Sequence, residues 1–162
     1  MGGLFGLLYA LHGLSAATFW LMLVCAFFAL ITLMDWKYRI VLNVLTYPGL
    51  IAALLINLVV LRQPVMGVLI GLAFAFIVFY LVALIVPGGL GGGDVKLAAM
   101  IGAALGFPLV LGALIAGALA SAVTILVLLT VLRRTLKDSI PYAPFLCLGA
   151  VAVLIYSSRL ML

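Results

Sequence analysis

Gly88-Gly89-Leu90-Gly91-Gly92-Gly93-Asp94-Val95-Lys96-Leu97 lies between two long apolar runs, and its reading decides how the rest of the chain is read. Five of these ten residues are glycine. Glycine costs backbone entropy on ordering and permits conformations that a Cβ forbids, so such a run is not there for helix stability. It carries an aspartate, one of three acidic residues in the whole sequence. A carboxylate at the edge of an apolar environment is expensive and marks a function.

The surroundings fix the solvent. Of 162 residues, 70% are hydrophobic and 7% charged, with a mean hydropathy of +1.57. A soluble domain of this size has no interior large enough for that surface, so the expected partner is the lipid bilayer. The net charge of +5 comes from eight Lys and Arg gathered at the ends of apolar runs. That pattern fits anchors facing anionic headgroups and argues against a nucleic-acid surface. Cys25 and Cys147 sit in separate apolar runs without C-x-x-C spacing, which reads as packing and suggests neither a zinc site nor a disulfide framework. Met1–Leu14 has no basic n-region and no small-residue cleavage site, so a cleaved signal peptide is not expected there. Its His12, alone among apolar residues, reads as an interfacial or packing side chain.

A membrane-spanning helix needs about 20 apolar residues. Ser15–Met34, Val44–Leu61, Val65–Val86, Leu109–Leu132 and Tyr142–Leu160 supply five such runs. Lys96–Gly106, extended through Phe107-Pro108, supplies a shorter one, with Gly102, Gly106, Gly112 and Gly117 marking close helix contacts. The expected fold is all-α: a polytopic membrane protein of about six transmembrane helices, forming a single integral-membrane domain over residues 1–162. With six spans, Lys37, Arg39, Lys96, Arg133, Arg134 and Lys137 fall on one side, and Arg62 and Arg159 on the other. The positive-inside rule then puts the first group in the cytoplasm and both termini on the non-cytoplasmic side.

The same topology brings Asp35, Asp94 and Asp138 to the cytoplasmic face. Asp35 ends one helix and Asp94 opens another two crossings later, the minimum needed for a carboxylate pair that shares a proton and activates water. Plainer roles exist for each. Asp94 is placed to cap a helix N-terminus, Asp35 to pair with Lys37 or Arg39 in a solvated loop, and Asp138 to form a surface ion pair with Arg134. A pair of membrane aspartates also suits a small proton- or cation-coupled transporter. The glycine run favours proteolysis over transport, because bare backbone beside an acid admits an extended peptide to main-chain hydrogen bonding. On that reading Gly91, Gly93 and Lys96 form the substrate-binding loop.

Gly91-Gly92-Gly93-Asp94 fits the pattern GxGD, and Gly91–Leu97 as a whole resembles the GGGDVKL segment of the type IV prepilin peptidases, membrane aspartic proteases. Two further segments resemble the same family in the same order. Asp35-Trp36-Lys37-Tyr38-Arg39-Ile40-Val41-Leu42-Asn43 is similar to its first motif, with Leu42 where proline is usual. Ile140-Pro141-Tyr142-Ala143-Pro144-Phe145-Leu146 is similar to its IPFGPFL segment, with Tyr142 and Ala143 replacing phenylalanine and glycine. The resemblance implies that Asp35 and Asp94 are the catalytic pair of an intramembrane-type aspartic endopeptidase. It implies a bacterial inner-membrane location and no metal or organic cofactor. The implied substrate is a prepilin or pseudopilin, with a basic leader cut just before a hydrophobic helix at the cytoplasmic face. The chain resembles the short, peptidase-only form, without the cysteine-rich region linked to N-methylation.

Overall fold

The apolar runs fold as helices. The computed structural model describes Gly6 and residues 16–38, 41–86, 90–130 and 142–160, and among them there are helices and no strand. The helices are α1 (Ala16–Tyr38), α2 (Asn43–Leu55), α3 (Val65–Ile85), α4 (Gly92–Leu105), α5 (Leu109–Thr130) and α6 (Ala143–Leu160). A π-helical segment, Ile56–Val60, continues α2. Val65–Ile85 and Leu109–Val127 are each long and apolar enough to cross a membrane.

Contacts at the helix ends show how they alternate. The N–H of Phe107, after α4, donates to the carbonyl of Gly67 at the start of α3. The Asn57 amide of the π segment donates to the Ala103 and Ala104 carbonyls in the last turn of α4, both at 2.9 Å. At the opposite end, Lys96 in the first turns of α4 donates to Asn43 at the start of α2. Helices α2 and α4 therefore run side by side in one direction, with α3 between them in sequence and reversed.

Two groups of helices result. Helix α4 packs closely on α3 and α2, while α6 packs closely on α5 and α1; α4 touches α5 and α6 less extensively. Small residues set the close approaches. A Cβ on Gly102 would lie 2.3 Å from the Gly71 carbonyl oxygen. One on Gly149 would lie 2.4 Å from that of Ala113, so α3–α4 and α5–α6 both meet backbone to backbone. Helix α4 is the most buried: Val95 and every residue from Leu97 to Ala104 are inside. Cys25 and Cys147 are buried and free, in keeping with a packing role.

Two boundaries differ from the sequence expectation. Helix α4 begins at Gly92, ahead of Lys96, so Gly92 and Gly93 are helical and Gly91 is the N-cap. It ends at Leu105 because Gly106 takes φ +69, a left-handed conformation that favours glycine. Leu42, where the family pattern has proline, caps α2 with φ −71 and ψ 125. That φ lies within the range a pyrrolidine ring imposes. Its N–H makes no hydrogen bond among the described residues. Leu42→Pro is therefore expected to fold normally and to gain about 0.4–1 kcal/mol by restricting the unfolded chain; thermal unfolding in detergent measures it.

Candidate active site

The C-terminal end of α1 and the N-terminal ends of α2, α4 and α6 meet at one end of the bundle. Asp35 occupies the last turn of α1, beyond the apolar run that ends at Met34. Its side chain is 4% exposed. It accepts a hydrogen bond from the Ala143 N–H, the first residue of α6. Its Oδ2 is buried with no hydrogen-bond partner among the described residues. Of the two partners considered for Asp35, Lys37 forms no ion pair with it among the described residues; its ammonium lies 5.3 Å from the Tyr38 ring centroid. Arg39 lies outside the described residues.

Asp94 is the third residue of α4, ahead of the apolar run that Lys96 opens. It accepts the Gly91 N–H at 3.2 Å. The capping role foreseen for it is thus realised in part, from inside the helix and toward the true cap at Gly91. Burial pushes the Asp94 carboxyl up to about 6; the Gly91 hydrogen bond opposes this, and the Asp35 charge adds to it. Burial likewise raises Asp35, against the Ala143 hydrogen bond. Each carboxyl is held in surroundings that disfavour its charge, and Asp94 also feels the charge of Asp35. The Cys147 thiol of α6 lies in contact with the Thr32 hydroxyl and within electrostatic range of both acids. Asp138 and His12 lie outside the described residues.

The glycine segment divides its work. A Cβ on Gly93 would lie 2.7 Å from the Val41 Cβ and 3.1 Å from the Val41 carbonyl oxygen. A Cβ on Gly92 would meet nothing within 4 Å. Gly93 is what lets the α1–α2 connection lie against the first turn of α4, beside Asp94. Gly93→Ala is expected to cost about 1–3 kcal/mol by overpacking. Gly92→Ala is expected to be neutral or to stabilise by up to about 1 kcal/mol through helix propensity. Parallel thermal melts of the two variants compare them directly. Lys96 is engaged: its ammonium donates to Asn43 Oδ1 at 2.9 Å and lies 5.0 Å from the Tyr47 ring centroid. It ties the first motif to the glycine motif.

Below the acids, an apolar cavity of about 230 Å³ opens between α1, α2 and α4. Leu23 and Phe27 of α1, Pro48 and Gly49 of α2, and Met100 and Ala104 of α4 are among its walls. Phe27 lies two turns along α1 from Asp35, about 12 Å at 1.5 Å per residue.

The type IV leader peptidase family matches residues 22–126, which contain α2, α3, α4 and both aspartates. The chain belongs to that family. It is 31% identical over 154 residues to the prepilin leader peptidase/N-methyltransferase of Burkholderia pseudomallei, in strains 1026b and K96243, covering 92% of this chain and 50% of each relative. It is 32% identical over 97 residues to the protein of the same description from Bacillus subtilis strain 168, covering 57% of this chain and 38% of that one. The chain thus spans about half the length, or less, of these curated relatives. No solved structure matches it.

Within this family frame, two residues stand out that the sequence reading left off the list of site residues. Asn43 was legible only as a motif match, and its role as the Lys96 acceptor needed the fold. Asn57 is 4% exposed and holds the far end of α4. Its signal was an amide within the apolar run Val44–Leu61, which in a helix bundle points to an interhelical hydrogen bond.

Proposed function

We propose that the chain is an aspartic endopeptidase that removes the short basic leader from prepilins or pseudopilins, with Asp35 and Asp94 activating water between them. The observation that carries this reading is the meeting, at one end of the bundle, of two carboxyls from α1 and α4. Both are raised in pKa, and one has a buried oxygen without a partner among the described residues. General acid–base hydrolysis needs one acid protonated and one ionised beside the same water. Family membership and the printed activity of the relatives support the substrate class.

On this reading all six helices cross the bacterial inner membrane, the aspartates face the cytoplasm, and both termini lie outside. The alternation of helix directions supports it, as does the sequence bias of Lys and Arg toward the connections at the aspartate end. A basic leader retained in the cytoplasm then meets the carboxyls directly, while the apolar cavity between α1 and α2 offers a lipid-depth surface to the hydrophobic helix that follows. The bilayer and the substrate helix are the partners; no nucleic acid is involved.

The test is to incubate the purified chain in detergent with a candidate prepilin and locate any cut by mass. One cut at the leader–helix junction is expected. A folded chain that leaves a panel of prepilins intact, or that cuts them equally well without either aspartate, overturns the proposal.

A further inference from the structure

We infer that the apolar cavity among α1, α2 and α4 is a selectivity pocket, which takes one large apolar side chain of the substrate helix about six or seven residues after the scissile bond. This rests on the peptidase reading above and adds to it a position and a size.

The cavity lies where the two groups of helices meet. Asp35 belongs to the group of α1, α5 and α6, and Asp94 to the group of α2, α3 and α4. A peptide held between the two carboxyls therefore leaves them along the seam between the groups, and the cavity is set in that seam. Its depth is the same measured from either acid. Val24, Phe28 and Asp35 share one face of α1, four and seven residues apart, and Val24 and Phe28 wall the cavity. At 1.5 Å per residue, Phe28 lies about 10 Å down α1 from Asp35, and Met100 about 9 Å down α4 from Asp94. A helical substrate descends about six or seven residues over that distance.

The size fits one side chain. An apolar cavity of about 150 Å³ holds a benzene-sized group, so about 230 Å³ takes a leucine, methionine or phenylalanine side chain. Val24, Phe28, Ala53 and Met100 form buried walls, and Leu23 is exposed at the rim. A lipid acyl chain runs through a leaflet about 15 Å deep, so a pocket with the room of a single side chain suits the substrate better. One wall is adjustable. A Cβ on Gly49 would lie 2.6 Å from both the Met100 Sδ and the Phe27 Cε1. Bare backbone thus faces two side-chain tips, which can swing to follow large apolar groups of different shape. An alanine leaves the pocket unfilled, and a charged side chain is excluded from it.

The test puts a diazirine-bearing apolar residue, in turn, at the fifth to ninth positions after the cut in a candidate prepilin. Each is irradiated with the purified chain in detergent, and the cross-link is mapped by mass. The expected labels fall within residues 23–28 and 48–53, strongest from the sixth or seventh position. At that position, prepilins with Ala, Leu or Phe are compared in the parent and in Ala52→Phe, whose ring fills the pocket from one wall. In the parent, Ala should lower kcat/KM about 10–100-fold relative to Leu or Phe, the effect of burying one such side chain. In Ala52→Phe that preference should vanish or reverse, whereas general damage would slow all three substrates alike and so overturn the pocket. Labels confined elsewhere, a diazirine lipid that labels these residues and is not displaced by prepilin, or a parent indifferent to side-chain size also overturns it. The cross-link and the parent comparison decide without any variant. A chain that is labelled here yet cuts no prepilin sinks the peptidase reading alone, and one that cuts without the label or the size preference sinks the pocket alone.

Discussion

Asp35→Asn and Asp94→Asn are each expected to lower leader cleavage by about 10²–10⁴-fold, the range that a positioned acid or base contributes. Asparagine keeps the size of aspartate and removes the ability to exchange a proton, so the loss reports chemistry and leaves packing in place. Cleavage rates of the two variants and of Asp138→Asn, assayed side by side on one prepilin, are the measurement. Asp138→Asn should be nearly silent. Full activity in either single variant of the pair removes the two-acid mechanism.

Stability supplies an independent readout with the opposite sign. Asp94 is raised to about 6 by burial and by the Asp35 charge, above its value of about 3.9 in an unfolded chain. A carboxyl raised on folding is worst placed when ionised, so its penalty is absent below about pH 4, grows as pH rises toward 6, and is complete above it. Asp94→Asn should therefore unfold at a higher temperature than the parent at neutral pH, with the difference closing as pH falls through 6 toward 4. An inactive variant that is also more stable cannot be dismissed as misfolded.

The second large effect is expected at Gly102. Any Cβ there would lie 2.3 Å from the Gly71 carbonyl oxygen and 2.9 Å from the Leu72 Cα. Both obstacles are main chain, which cannot swing aside as a side-chain tip can. Gly102→Ala should cost at least the upper part of the 1–3 kcal/mol typical of overpacking, and Gly102→Leu should abolish the folded yield. Gly112→Ala is the matched control, because its Cβ would approach only Val153 side-chain carbons, the nearer at 3.3 Å. Thermal unfolding of the two alanine variants should differ clearly; equal melting temperatures would mean that α3 and α4 do not meet as described. Since α4 also carries Asp94, separating α3 from α4 should reduce cleavage as well.

The helices were legible because each apolar run is long and bounded by charge, glycine or proline, and hydropathy reports length directly. The two acids were legible because carboxylates are scarce and costly in such a chain. Among the described residues the six helices and their rough boundaries agree with the expectation, while crossing the membrane six times remains part of the proposal. What the sequence hid is long-range and directional. Asn57 finds the α4 carbonyls across 46 and 47 positions, and Lys96 finds Asn43 across 53. Nothing in an apolar pattern says which face of a helix will meet which neighbour. The local structure of the glycine run was hidden for the same reason. Glycine's freedom suggested an open loop throughout, whereas Gly92 and Gly93 are helical, and Gly93 is small because Val41 lies against it.

The Ala143 N–H that meets Asp35 has a consequence for biosynthesis. Asp35 leaves the ribosome with the first of the described helices, whereas its partner arrives with the last of them. Until α6 is made and docks on α1, the aspartate has neither that hydrogen bond nor its full enclosure. The growing chain therefore carries one acid of the pair in an unfinished setting through most of its synthesis. On the proposed reading, the two-acid site is complete only once the last of the described helices has docked on the first.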